Sequence, residues 1–196
     1  MRLFSYVVAR DYGFAPNPFY GVCTLATCKP DIRKAAIVGD WVIGTGSKGR
    51  QEYLVYAMSV AETLTFNEYW NDPRFQRKRP NLKAGKKQAF GDNIYHQEED
   101  GSWLQENSHH SYPDGTPNSH NVKKDTGKTS KVLIGYEYVY WGGEGPRIPP
   151  SIDICKRGPG HRCHFSDQTM EHFINWIRAE AKWGYQGEPL DWPRSA

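Results

Sequence analysis

Four of the chain's seven histidines, His96, His109, His110 and His120, fall between Phe90 and Asp125, in FGDNIYHQEEDGSWLQENSHHSYPDGTPNSHNVKKD. The same stretch holds Asn93, Asn107, Asn118 and Asn121 and the acids Asp92, Asp100, Asp114 and Asp125. Imidazoles titrate near neutrality, and amides and carboxylates donate and accept around them, so this crowding suits a catalytic or recognition surface. Its bland alternative is a solvated insertion with incidental histidines. Proton transfer is the chemistry such a set can do, with His96, His109 or His110 as general acid or base and Asp92 or Asp114 as the carboxylate that orients it. Neighbours on an extended strand point to opposite faces, so His109 and His110 cannot both reach one reacting atom unless the backbone turns there. His96, His109 and Asp92 are therefore the catalytic candidates, with Arg10 or Arg162 as an anion clamp.

The elements that must position these groups are short. Asp100-Gly101 and Asp114-Gly115 are turn signals, and Trp103 and Leu104 are the strong apolar anchors between them. The stretch reads as hairpins and long loops displayed on a scaffold built elsewhere. Gly91-Asp92 sets a turn, after which Asn93, Tyr95 and Gln97 share one face of an extended segment and Ile94 and His96 the other. On that reading Ile94 anchors the core and His96 turns inward to a polar partner, for which Asp11 is the candidate. Asn93 and Tyr95 then face a nucleotide-sized pocket shared with Arg10, Asp11 and Asn17 of the first loop.

Binding a nucleotide asks for aromatic faces to stack on and for groups that read base edges. Tyr95, Trp103, Trp41 and Phe14 offer faces, and Asn17, Asp40, Asn93 and Asp92 offer edge partners. Each aromatic has core packing as its competing role. Between Asn71 and Gln88 runs a basic segment, Arg74, Arg77, Lys78, Arg79, Lys83, Lys86 and Lys87, with no acid after Asp72. Arg74, Arg77, Lys78 and Arg79 are expected to contact phosphate rather than bases, the alternative being a solvated basic loop. The net charge of +3 is too mild to establish nucleic-acid binding by itself.

Several readable enzyme classes are excluded. The chain has no P-loop, no GxGxxG, no HxE with CxxC and no GxSxG elbow. No cofactor is expected. The four cysteines, Cys23, Cys28, Cys155 and Cys163, match no zinc ribbon or finger and read as reduced thiols. Cys155, His161, Cys163 and His164 lie within ten residues and would make a metal site only if Gly158-Pro159-Gly160 shaped the knuckle. No stretch approaches the roughly 18 consecutive apolar residues of a membrane span. Met1 to Phe4 enters a strand without a signal pattern, so a cytoplasmic location is the expectation.

Along the chain, Leu3 to Ala9, Cys23 to Cys28, Trp41 to Thr45 and Tyr53 to Val60 read as strands, the last two as a hairpin. Lys131 to Trp141 reads as one long central strand. Pro30 opens a helix or single turn, and Glu62 to Tyr69 is a helix or turn. Met170, Phe173, Ile174, Ile177 and Ala181 form one apolar stripe on a helix capped by Ser166 or Asp167 and running to about Trp183. The tail from Gly187 docks or frays around Trp192. A single α+β domain over residues 1–196 is expected, its strongly bent mixed or antiparallel sheet forming a partial barrel closed by that helix.

The Gly39-Asp40 turn, its strand, a basic loop and the apolar strand that follows are similar, over about Ile32 to Thr65, to the core of PUA-like and EVE-like domains. In several of those, a pocket beside the sheet receives a nucleobase. More broadly, RDYGFAPNPF, CTLATCKPDIR, GDWVIGTGSK, FGDNIYH, DGSWLQENSHHS and KVLIGYEYVYWGGEGPRIP, in that order, resemble the nucleotide modification associated domain 2 family from about Arg2 to Arg162. Families of that name were grouped from gene neighbourhoods of bacterial and phage DNA hypermodification systems. The resemblance implies a role around modified nucleotides or modified DNA, with DNA-modification enzymes as partners, and transfers no catalytic residue. Two functions follow. One is a module that reads a modified base; the other is a metal-independent enzyme acting on a nucleotide or DNA base through His and Asp, by hydrolase, glycosidic-bond or transferase chemistry.

Overall fold

The computed structural model describes residues 1–192. In chain order its elements are β1 (Leu3–Val7), β2 (Cys23–Leu25), α1 (Pro30–Ala35), β3 (Trp41–Thr45), β4 (Leu54–Ser59), β5 (Glu62–Thr65), α2 (Phe66–Asn71) and α3 (Lys86–Ala89). There follow β6 (Tyr95–Gln97), β7 (Trp103–Gln105), α4 (Ser119–Thr126), β8 (Lys131–Gly135), β9 (Tyr138–Tyr140), β10 (His161–Arg162), α5 (Asp167–Glu180) and β11 (Gly184–Tyr185). The class is mixed α+β with a C-terminal helix, as expected. Among the described residues no sheet closes into a barrel: the largest is an open six-stranded sheet.

Two compact units divide the chain. The first comprises Met1–Tyr12, Ala36–Ala61 and the chain from Gly135 onward. Its sheet has the order β10-β1-β3-β4-β9-β11. β1 and β3 run parallel, β3–β4 and β4–β9 antiparallel, so the sheet is mixed. β3 and β4 are near-continuous apolar runs because both faces are covered. They form the expected hairpin, whose register shifts between Gly44 and Thr45. A Cβ at Gly44 would lie 2.5 Å from Val8 Cγ2 and 2.6 Å from Tyr56, so the strand passes there only without a side chain. The stripe on α5 buries Phe173 and Ile177 completely, with Met170 and Ile174 nearly so, in a core with Trp41, Ile43, Leu54 and Val139. Ser166 caps α5, its Oγ accepting the Thr169 N–H at 3.1 Å. The helix ends at Glu180 rather than near Trp183, because the chain leaves it extended to pair β11 with β9.

Asp11 lies in this unit. Its Oδ1 accepts the Tyr140 hydroxyl at 2.5 Å and its Oδ2 the Leu190 N–H at 3.1 Å, while Trp192 Nε1 donates to the Tyr12 carbonyl. The tail therefore docks through Trp192, and the last residues, 193–196, lie outside those described. Asp40 is likewise structural: it receives the Arg2 guanidinium and backbone N–H and the Ile37 N–H, stapling the turn before β3.

The second unit comprises Gly13–Ala35 and Glu62–Ile134. It holds a three-stranded sheet of order β2-β8-β5 and the hairpin β6–β7. The single strand expected over Lys131 to Trp141 is two strands in different sheets, separated by Tyr136 and Glu137. The segment expected as helix or turn from Glu62 is a strand, β5, followed by α2. Thr65 caps α2 in a capping box with Glu68: the Thr65 side chain accepts the Glu68 N–H and Glu68 accepts the Thr65 N–H. Among the described residues, no helix is long and apolar enough to cross a membrane.

Candidate active site

Three side chains of the second unit, distant in sequence, converge. Cys28 follows β2 and precedes α1, in a backbone where Cys28 (φ 58°) and Lys29 (φ 42°) both adopt the left-handed region that non-glycine residues rarely enter. His110 sits in the turn after β7, and Asp125 in the last turn of α4. Cys28 Sγ is 3.7 Å from His110 Nε2, and His110 Nδ1 is 2.9 Å from Asp125 Oδ2. Their donor atoms all lie within 4.8 Å of one another. An ionised carboxylate only accepts, so Nδ1 carries the proton toward Asp125 and Nε2 faces the sulfur.

Each member is held from behind. Asp125 is fully buried and accepts two further bonds, from the Cys28 N–H at 2.8 Å and the Tyr95 hydroxyl at 3.0 Å. The His110 carbonyl receives Asn121 Nδ2 at 2.8 Å, and its ring packs on Phe14 with centroids 4.6 Å apart. Arg33, wholly buried in α1, gives Nε to the Cys28 carbonyl at 2.8 Å, Nη1 to the Lys131 carbonyl at 2.8 Å and Nη2 to the Asp125 carbonyl. One guanidinium thus fixes the backbones of Cys28 and Asp125, and its planar fork is what allows it. Burial works against a charge on His110, but the bonds from Asp125 and Cys28 outweigh it and lift the imidazole to about 9. Burial, reinforced by Asp125, pushes the Tyr95 phenol up, so it stays a neutral donor. Thiol, imidazole and carboxylate in this order can activate a nucleophile, carry its proton and hand that proton on.

The expected site residues are distributed otherwise. His96 is partnered by Glu106, at 2.9 Å, and stacks on Trp70 at 4.2 Å; its expected partner, Asp11, is engaged by Tyr140 and Leu190. Asp92 is buried, with Thr24 and Tyr69 hydroxyls donating to its two oxygens at 2.7 and 2.8 Å. Burial raises its pKa above the usual carboxylate value in spite of Lys78 nearby. Asn93 and Tyr95 were expected to face a ligand, yet both are buried. Asn93 donates to the Tyr69 carbonyl and Tyr95 backs Asp125. The physical reason is that residues 91–94 are not a strand, so period-two alternation does not apply; β6 begins only at Tyr95. Phe14 and Trp41 are core residues, 4% and 2% exposed, and not stacking platforms. Trp103 is half-buried, edge-on to Phe66, and with Val122 and Lys123 lines a largely apolar cleft of about 480 Å³ that none of Cys28, His110 or Asp125 lines. His109 is exposed, its ring 5.3 Å from Phe14 and 5.2 Å from Phe90. Arg10 is exposed.

The basic run is not one surface. Lys78 is buried, its three ammonium protons going to the Asn17 carbonyl, Asn17 Oδ1 and the Val22 carbonyl at 2.9, 2.7 and 2.9 Å. Its assignment to phosphate is corrected accordingly; burial lowers it to about 8. Asn17 in turn donates to the Gly13 and Phe90 carbonyls, which makes it a loop staple. Arg74 pairs with Glu62 and Asp72, Arg77 lies over Tyr20, and Arg79 lies over Trp70 while donating to its carbonyl. Lys78→Ala leaves three acceptors without their donor and is expected to cost about 3 kcal/mol. A urea titration checks this through a lower midpoint at unchanged slope. Among the described residues, Cys155, His161, Cys163 and His164 do not converge as a metal-binding group; Cys163 and His164 approach only each other, at 3.8 Å.

Sequence reasoning overlooked Cys28, Asp125 and Arg33 as a set. The one signal for Cys28 was CTLATCKP, a strand ending at a cysteine just before a helix-opening proline.

The fold and site define a mixed α+β protein whose second unit brings a thiol, an imidazole and a carboxylate together in series. The chain belongs to the nucleotide modification associated domain 2 family, whose model matches residues 1–196, the whole chain. Membership associates it with nucleotide modification. No curated protein and no solved structure matches it.

Proposed function

We propose that this protein is an enzyme of nucleotide modification that uses Cys28 as a nucleophile, His110 as the group that takes and returns the proton, and Asp125 as the carboxylate that orients His110. The observation that carries the reading is the His110 ring, which spans Cys28 and Asp125 with one nitrogen toward each, at 3.7 and 2.9 Å. The same three side chains also describe a metal set with an open position. With His110 Nδ1 bonded to Asp125, only Nε2 and the Cys28 sulfur are left to face one ion, fewer ligands than a zinc site uses. That arrangement favours proton relay over coordination. A pure recognition module has less support, since Tyr95, Trp41 and Phe14, which would stack a base, are packed inside.

The test is incubation with a panel of nucleoside monophosphates and base-modified DNA, followed by intact mass of the protein and chromatography of the nucleotides. Turnover that disappears when Cys28 alone is alkylated supports the enzyme. Binding without turnover, indifferent to that alkylation, returns the protein to the recognition class. Activity lost to a chelator and restored by zinc would assign the cluster to metal.

A further inference from the structure

We propose that Cys28 attacks C6 of a pyrimidine ring, so that the substrate of the site is a pyrimidine nucleotide and the first covalent species is a 5,6-dihydropyrimidine bound through sulfur. The inference rests on the thiol-nucleophile reading above and names its substrate. A nucleotide offers a soft sulfur nucleophile few electrophilic carbons. The C5=C6 bond of a pyrimidine is conjugated with the group at C4, which makes C6 the carbon a thiolate can add to, and sulfur is the most nucleophilic of the side-chain atoms near neutral pH.

Three observations match that chemistry. Cys28 is a half-buried residue whose sulfur is next to a nitrogen that can carry its proton. His109 is exposed and held by ring contacts with Phe90 at 5.2 Å and with the buried Phe14 at 5.3 Å, Phe14 also packing on His110 at 4.6 Å. A planar ring is the ligand that an exposed imidazole flanked by phenyl groups stacks best. Lys29, the next residue, is in the electrostatic field of both Cys28 and Lys124, and its charge is opposed first by burial. The Lys29 ammonium, which interacts with Cys28, suits a phosphate carried by the same substrate.

The step balances without an oxidant or a second substrate. With His110 in its neutral form the thiol proton passes to Nε2, the sulfur lone pair forms the S–C6 bond, and the C5=C6 pair moves toward C5 and the C4 substituent. His110 returns its proton to C5. In reverse, C5 loses either hydrogen, the S–C6 bond breaks and the ring is restored. In heavy water the forward and reverse steps replace the C5 hydrogen by deuterium with no other change.

The experiment is proton NMR of 2′-deoxycytidine and 2′-deoxyuridine 5′-monophosphates, and of a single-stranded oligonucleotide carrying the same bases, incubated in deuterium oxide with the full chain. Loss of the C5 proton signal is expected, at least about 10²-fold faster than with Cys28→Ser or with Cys28-alkylated protein, and slowed about 10²-fold or more by His110→Gln. Exchange in the free nucleotides or only in the strand identifies which source supplies the base. Circular dichroism melting confirms that each variant is folded, and the alkylated wild-type protein serves where a variant is not. Exchange that survives in Cys28→Ser overturns the proposal. Absence of exchange in all substrates, while the modification panel still shows Cys28-dependent turnover, overturns it too and leaves the thiol-nucleophile reading standing. Absence of both removes the two together.

Discussion

Replacing Cys28 by serine is expected to lower turnover by about 10³-fold or more while leaving the protein's melting temperature nearly unchanged. Serine keeps the shape but is a far weaker nucleophile at neutral pH, and its hydroxyl is not activated by an imidazole placed 3.7 Å away for sulfur. Cys28 is half-buried and its contact with His110 is long, so little packing is lost and the stability change should stay within about 0.5 kcal/mol. Groups that act as one unit are not additive. His110→Gln should therefore cost about 10²–10⁴-fold in the wild-type chain and almost nothing further in the Cys28→Ser background. A double-mutant cycle on kcat/KM checks this. Additive losses would mean that the two side chains serve separate ends.

The second large effect is on stability. Asp125→Ala removes a fully buried carboxylate that accepts from Cys28 N–H, His110 Nδ1 and Tyr95 hydroxyl, and strands a charged imidazole beside them. Breaking a buried ion pair from one side costs about 3–5 kcal/mol. The pair also makes stability depend on pH, with a definite sign. His110 is raised from 6.5 to about 9 in the folded protein. Its contribution is therefore complete below about pH 6.5 and is lost as pH rises through about 9, a change on the order of 3 kcal/mol. Lys78, lowered to about 8, acts with the opposite sign above that pH. Comparing wild type with His110→Gln across pH 6 to about 9.5 cancels the lysine, and only the wild type should lose the imidazole's share. A parallel dependence in both chains would assign the slope elsewhere.

Local pattern made much of the first unit legible. The runs of β3 and β4 and the stripe of α5 are each complete within one element, and burial follows period directly. The break between β8 and β9 was not legible for a simple reason: Tyr136 and Glu137 are two residues, and a two-residue interruption preserves the alternation of a period-two pattern. The polar stretch did contain His110 and Asp125, two of the three side chains that converge. What it could not show was the partner, because Cys28 lies 82 residues from His110 and 97 from Asp125. A cysteine outside any spacing motif looks the same whether it is inert or opposed by an imidazole. The pairing of His96 with Asp92 failed for the converse reason, since nearness in sequence placed polar groups together that burial and competing hydroxyl donors keep apart.

The guanidinium of Arg33 ties the carbonyls of Cys28, Asp125 and Lys131 into one node. Because three of its donors go to three separate segments, loosening any one of them disturbs the node that holds the other two. The reactive constellation and the second unit's fold are then a single cooperative event. Along a denaturation curve the aim of the thiol is therefore expected to be lost together with the second unit's fold rather than before it.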